Sequence, residues 1–122
     1  MVAESLAGQA FQVVISEVFP DPSPSVGLPE EEFIELTNVS GVELDISGWT
    51  VSNGRTTGKI PDSSVLLPGD IVIICSINGK AGFSRLGRTI AISPFPALTN
   101  AGDTLILSDQ NNKPVHTVGY NE

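Results

Sequence analysis

Turn-forming residues interrupt this chain at short intervals along most of its length. Its 122 residues include 12 glycines and 9 prolines. Proline removes a backbone donor and glycine is too flexible, so both are unfavourable inside helices and central strands. The segment 20–29, PDPSPSVGLP, has four prolines in ten residues and is expected to be an exposed loop. Long helices are therefore disfavoured, and many short strands joined by turns are favoured.

Between the turns lie short runs rich in β-branched and aromatic residues. Alternation along residues 33–38 places Ile34 and Leu36 on one face and Glu35 on the other. Residues 71–75 are continuously apolar, which is typical of a central strand. About seven such runs predict an all-β, antiparallel β-sandwich. The predicted strands are 11–19, 33–38, 49–53, 71–75, 89–93, 103–108 and 114–120.

The length of the chain fits one domain with a substantial core. Hydrophobic residues make up 40% of the sequence and charged residues only 16%, so disorder is not expected. We predict a polar lead-in over residues 1–12 and a single sandwich over residues 13–122. No apolar run is long enough to span a membrane. The first residues lack the pattern of a signal peptide, so the signal of an exported parent protein would lie outside this sequence.

The charge of the chain is negative and uneven. The net charge is −8, and residues 1–53 contain nine acidic residues and no Lys or Arg. Binding to a nucleic-acid backbone depends on Lys and Arg, so a nucleic acid is not the expected partner. A protein partner, or a neighbouring domain of the same chain, is expected instead. An unpaired edge strand or the acidic first half would be its binding surface.

Complete catalytic sets are missing from the sequence. A serine hydrolase needs a histidine base beside a serine on a strained turn, and His116 is the only histidine, with no G-x-S-x-G motif. Structural zinc needs four Cys or His ligands, and the chain has only Cys75 and His116. Cys75 cannot form an internal disulfide and is expected to be a buried hydrophobe. We predict that the chain is not an enzyme.

Four carboxylates near the proline-rich segment are the candidate site. Calcium takes six to eight oxygen ligands, and carboxylates on both sides of that loop could supply several. The alternatives are a solvated strand face, which is the simpler interpretation, and a hydrolytic pair made of Glu17 and Glu35. No resident cofactor is expected apart from this calcium. The calcium hypothesis uses Glu17, Asp21, Glu32 and Glu35.

Three further patterns carry weaker signals. GRTTGKI at residues 54–60 has one residue too few between its glycines for a phosphate-binding loop, and Ile60 replaces the required Ser or Thr. Asn38 begins the glycosylation pattern NVS. Residues 78–88 contain three basic residues around Phe83, a composition that suits an anion site or a solvated loop. The three basic residues are Lys80, Arg85 and Arg88.

Six motifs occur in an order that resembles the lamin tail domain family, and its bacterial members in particular. They are VVISEVFPD, EEFIELTN, LDISGW, LLPGDIVII, LTNAGDTLILSD and PVHTVGY, which together run from about residue 13 to residue 120. Within them, glycines and a proline suit turns, and Trp49 suits a buried anchor. The positions expected to build the scaffold are Gly48, Trp49, Pro68, Gly69, Asn100, Gly102, Asp103 and Tyr120.

The resemblance implies an immunoglobulin-like β-sandwich. It also implies a module attached to secreted or cell-surface proteins of bacteria, sometimes beside nucleases or other hydrolases, with no catalytic activity of its own. An extracellular or cell-surface location follows from the resemblance alone. Animal members contact nuclear partners after a coiled-coil rod, but this chain has no heptad pattern and is acidic, so that role is not expected here.

Overall fold

The computed structural model describes residues 12–19, 32–98 and 102–120. These residues form ten strands and two very short helices. The helical turns are a 3-10 helix, Ile77–Gly79, and an α-helix, Lys80–Phe83. The strands are β1 Val13–Phe19, β2 Phe33–Asn38, β3 Leu44–Asp45, β4 Thr50–Ser52, β5 Thr57–Lys59, β6 Val65–Leu66, β7 Ile71–Cys75, β8 Thr89–Ala91, β9 Asp103–Ser108 and β10 Pro114–Tyr120.

Two four-stranded sheets make up most of the fold. The first has the order β1-β2-β7-β8 and the second the order β10-β9-β4-β5. β3 and β6 form a separate two-stranded sheet. The predicted all-β sandwich is confirmed, but the described part of the chain has ten strands rather than about seven. The pairing is antiparallel throughout these sheets except between β7 and β8, which run parallel.

One hydrophobic core joins the inner faces of the two sheets. The first sheet contributes Ile34 and Leu36, and the second contributes Leu105 and Leu107, all fully buried. Trp49 lies in the same cluster and is 1% exposed. Alternation along each strand places these residues on one face, so the two sheets bury their apolar sides against each other.

A second, smaller core covers part of the outer face of the first sheet. Phe33, Cys75 and Phe83 are buried together there, and Phe19 and Ile73 pack against them. The rings of Phe33 and Phe83 meet edge to face, with centroids 5.1 Å apart. The burial of Phe83 against the sheet stabilises this short helix. Two of the candidate carboxylates, Glu17 and Glu35, lie on the exposed remainder of that outer face.

The first and last strands begin at the same end of the sandwich. Val13 is the register partner of Asn38, which ends β2. The backbone N–H of Ile15 donates to Nδ1 of His116 at 2.9 Å, and His116 is the third residue of β10. Val13 and the start of β10 therefore lie together at what we call the Asn38 end.

The last strand finishes at the opposite end, which we call the Asp103 end. Tyr120, the last residue of β10, is the register partner of Asp103. At this end, Leu98 N donates to Oε1 of Glu32, which precedes β2. The loop after β4 joins the same segment to the start of β9, because Asn53 Nδ2 donates to the Ala97 carbonyl and Arg55 Nη2 to Asp103 Oδ2. β1 and β10 consequently run in the same direction.

Candidate functional site

Two of the candidate carboxylates face each other across neighbouring strands. Glu17 and Glu35 are register partners of β1 and β2, on the outer face of the first sheet. A β-bulge between Ile15 and Glu17 leaves Ser16 as an extra residue on that face. The bulge allows Ile15 to remain in the core while Glu17 points outward. Like charges placed directly opposite each other destabilise a sheet, so this pair needs either solvent or a cation.

Ser16 connects the glutamate pair to the rest of the outer face. Its hydroxyl lies 2.8 Å from Oε1 of Glu35, to which it donates, and 2.7 Å from Oγ1 of Thr37. All three residues are at least partly exposed. The arrangement is an open polar strip on a sheet surface, rather than a cleft that could exclude water from a substrate.

The other two residues of the calcium hypothesis are placed differently. Glu32 precedes β2, and its Oε1 accepts a hydrogen bond from the backbone N–H of Leu98 at 3.1 Å. Asp21 lies outside the described residues. Among the described residues, no group of three or more His, Cys, Asp or Glu is arranged to hold a metal ion. The complete four-residue site stays a prediction, because one of its members lies in the part of the chain that is not described.

His116 has a structural partner. Its Nδ1 accepts the hydrogen bond from Ile15, so this nitrogen carries no proton in the arrangement observed. An imidazole held in this way bridges the edge strands of the two sheets, which is a positioning role. Cys75 is fully buried in the second core beside Phe33 and Phe83, as a small hydrophobe would be.

The basic segment and the glycine-rich segment differ in structure from a base-stacking platform and from a phosphate-binding loop. Phe83 is fully buried, so its ring is not available for stacking on a base. Arg88 donates through Nη1 to the Val65 carbonyl at 2.5 Å. Residues 57–59 of the glycine-rich segment form β5, where a phosphate-binding loop would begin a helix.

The side chain of Asn38 has a structural role that the glycosylation pattern NVS does not indicate. It is fully buried, and its side-chain amide donates to the carbonyls of Val42, Leu66 and Leu67 at 2.9, 3.1 and 3.2 Å. Its Oδ1 accepts from the backbone N–H and the hydroxyl of Ser40. An amide engaged in this way is not a glycosylation acceptor. The alternation of side chains along β2 is the sequence signal for this burial, because residues 34, 36 and 38 share the inner face of the strand.

The scaffold positions lie at turns and in the core. Gly48 and Gly69 have φ of 80° and 84°, and Gly69 follows Pro68 in the turn closed by the bond from Asp70 N to the Leu67 carbonyl. Trp49 donates through Nε1 to Gln110 Oε1 at 3.0 Å. Gly102, with a φ of 112°, precedes β9. Asn100 lies outside the described residues.

A salt bridge between Arg55 and Asp103 lies at the Asp103 end. Nη2 of Arg55 lies 2.6 Å from Oδ2 of Asp103, and Tyr120 packs against the main core next to this pair. The hydrogen bond from Arg55, helped by the backbone N–H of Thr104, lowers the pKa of Asp103. The same bond raises the pKa of Arg55. Asp103 therefore stays ionised and joins the loop after β4 to β9.

The edge strands of the two four-stranded sheets are β1, β8, β10 and β5. β1 and β10 face each other across the bond between Ile15 and His116, and β8 contacts the short helix. A methyl group on Gly58 of β5 would lie 2.3 Å from the Pro94 carbonyl oxygen, so the segment around Pro94 packs against the inner face of this strand. The contact between β1 and β10 makes these two strands poor surfaces for a partner strand.

No helix in residues 12–19, 32–98 or 102–120 is long and apolar enough to cross a bilayer.

Comparison with known proteins agrees with the sandwich fold. A search of curated proteins finds no match to the chain. The family described as Lamin Tail Domain matches residues 7–122. This match includes every strand of both sheets and both ends of the sandwich, so it covers nearly the whole sequence. The chain therefore belongs to the lamin tail domain family.

Proposed function

We propose that the domain is a non-catalytic spacer and interaction module of a secreted or cell-surface multidomain protein of a bacterium. The observation that carries this proposal is the direction of the first and last strands. Val13 begins β1 at the Asn38 end, whereas Tyr120 ends β10 at the Asp103 end. Segments attached before and after the sandwich would leave from opposite ends, as the proposed role requires.

The polar groups support a role without catalysis. Glu17 and Glu35 stand on an open sheet face, and His116 uses Nδ1 to accept a bond from the backbone. General acid–base chemistry needs such groups in a site that orients a substrate and keeps out water. The placement in a bacterial surface protein rests on the family resemblance. Finding the parent protein only in the cytoplasm of its bacterium would contradict that part of the proposal.

The spacer role is testable by single-molecule energy transfer between dyes attached at Gln12 and Tyr120. A seven-residue strand spans roughly 20–25 Å, so we expect one narrow distribution near that separation. A glycine–serine linker of the same residue number should average about 55–60 Å with a broad distribution. A separation below about 10 Å would place both attachment points at one end and contradict the proposal. A broad distribution in the folded domain would do the same.

A calcium-stabilised module is the second proposal, favoured by the direct pairing of Glu17 with Glu35. Calcium at about 100 times its dissociation constant would stabilise the fold by roughly 2.7 kcal/mol, which raises the melting temperature by several degrees. Glu35→Gln should abolish this shift. In EDTA the same substitution should raise stability slightly, because it removes one of two opposed charges.

The control for the calcium measurement is Glu43→Gln, which changes an exposed glutamate outside the four proposed ligands. It should keep the calcium shift. Thermal melts of the three proteins in EDTA and in millimolar calcium test whether calcium stabilises the domain through Glu35. If the unchanged protein has the same melting temperature in calcium as in EDTA, the glutamates form a solvated face and the calcium proposal is wrong.

A further inference from the structure

Exposed aliphatic side chains gather at one end of the sandwich. Six large hydrophobic residues in the described part of the chain are more than half exposed. Two of them, Ile77 and Leu86, lie on the segment around the short helix. The other four surround the buried Asn38, and we call them the end patch: Val39 at 55%, Val42 at 55%, Leu67 at 51% and Ile71 at 52%. Clusters of exposed aliphatic residues mark interaction sites more often than isolated ones do.

The end patch is held on a hydrogen-bonded frame. The amide of Asn38 binds the carbonyls of Val42 and Leu67. The N–H of Val39 donates to the Gln12 carbonyl at 2.9 Å, and the Asn38 N–H donates to the carbonyl of Asp70, next to Ile71. Each residue of the end patch therefore has a hydrogen bond at its own backbone or at the backbone of its neighbour in sequence. A surface fixed in this way loses little conformational freedom when it is covered.

Charges of both signs lie beside the patch. Oδ2 of Asp70 accepts from the Leu67 N–H at 2.8 Å, which places its carboxylate next to the patch. Nη1 of Arg88 is 3.8 Å from the same oxygen, and the two side chains are 41% and 36% exposed. Arg88 also donates through Nη1 to the Val65 carbonyl, but its other N–H groups and Oδ1 of Asp70 make no further bond within the described residues and can meet a second partner. A twofold axis through the patch would set Arg88 of each copy against Asp70 of the other.

We propose that the end patch is a twofold contact between two copies of this chain. The apolar centre, the fixed frame and the paired rim charges together give the self-complementarity that such a contact needs. The net charge of −8, with Glu43 exposed beside Val42, opposes association. The dimer is therefore weak and depends on concentration. A segment attached before the sandwich would leave from this same Asn38 end, so a dimer would bring the two preceding segments together. Failure of the dimer would leave the spacer proposal standing, since a monomer could still hold its attached segments apart.

Sedimentation equilibrium from about 10 µM to 1 mM tests the contact, because it covers the range of weak dimers. The unchanged chain should move from monomer towards dimer across this range. Val42→Glu should raise the dissociation constant at least about tenfold, since it puts a charge into the apolar centre. Ile77→Glu is the matched control, because it alters an equally exposed aliphatic residue outside the patch, and it should leave association unchanged.

A charge-exchange experiment identifies the occupant as a second copy. Arg88→Glu alone gives a copy with two acidic rim groups, and Asp70→Lys alone gives a copy with two basic ones. Each variant should dimerise less than the unchanged chain, and an equimolar mixture should recover a heterodimer. Thermal melts establish that both variants are folded. A chain that stays monomeric to 1 mM, association that survives Val42→Glu, or a mixture that behaves as its components do would each overturn the proposal.

Discussion

Replacing Gly58 with alanine should destabilise the domain by roughly 2–4 kcal/mol, because no space exists for a methyl group there. Gly58 is the buried middle residue of the edge strand β5. A Cβ atom would lie 2.3 Å from the Pro94 carbonyl oxygen and 2.6 Å from Cδ1 of Ile92. The oxygen belongs to the backbone, so relief requires movement of the chain around Pro94 and not merely a different rotamer.

The two clashes at Gly58 are separable by a double substitution. Ile92→Val removes the Cδ1 atom but leaves the Pro94 carbonyl in place. If the side chain were the main obstacle, the double variant Gly58→Ala with Ile92→Val would recover most of the lost stability. We expect little recovery, because the backbone contact is the shorter one. Urea unfolding of the four proteins in this cycle measures the coupling.

Gly87→Ala is the control for Gly58→Ala. Gly87 is exposed and has nothing within 4 Å of its Cβ position. Its substitution should change stability by less than about 1 kcal/mol, and a small gain is expected from the reduced entropy of the unfolded chain. Equal stability of the two alanine variants would show that the close approach at Gly58 is unimportant.

The strands with a clear sequence period were predictable. Residues 33–38, 71–75, 103–108 and 114–120 are strands with the predicted bounds, because alternation or a continuous apolar run identifies them. β3, β5 and β6 were not predicted, since β3 and β6 have only two residues each and β5, with the sequence TGK, has no apolar residue to mark a face. The parallel pairing of β8 with β7 depends on a contact between distant segments, which a local pattern does not contain.

The candidate site was predictable only in part. The hydrolytic alternative had Glu17 and Glu35 as a pair that adjacent strands could bring together, and the two are register partners. The bulge at Ser16, which keeps both on the outer face, has no signature in the sequence. The bond from Leu98 to Glu32 joins residues 66 positions apart and was equally invisible. The end patch was missed because Val39, Val42, Leu67 and Ile71 come together only when the turn at Gly69 meets the end of β2.

Replacing Asn38 should have the largest effect of any single polar substitution considered. Its amide donates to three carbonyl oxygens at the buried end of β2. Asn38→Asp keeps the shape but replaces the donors by a carboxylate that faces those oxygens. A buried carboxylate that keeps the Ser40 donors at one oxygen but turns the other towards unsatisfied carbonyls should cost roughly 3–5 kcal/mol at pH 7.

The pH dependence of Asn38→Asp separates lost donors from altered packing. Burial and the facing carbonyls raise the pKa of the new carboxyl above its unfolded value of about 3.9. The folded state then binds the proton more tightly than the unfolded state, so the variant loses stability as pH rises from that value through the folded pKa. Protonation also supplies an O–H donor for one carbonyl. Urea unfolding should therefore show a deficit at pH 4.5 smaller than the deficit at pH 7.

Two comparisons complete the test of Asn38. Asn78→Asp makes the same chemical change at an exposed position and should alter stability by less than about 0.5 kcal/mol. Asn38→Ala lacks a titratable group, so its deficit should be the same at both pH values. If Asn38→Ala is destabilised at both pH values while Asn38→Asp stays close to the unchanged protein, volume and not donation holds this end together. If most of the stability that Asn38→Asp loses is lost only at pH 7, the amide donors join β2 to the turn at Gly69. The shape of the end patch then depends on these donors.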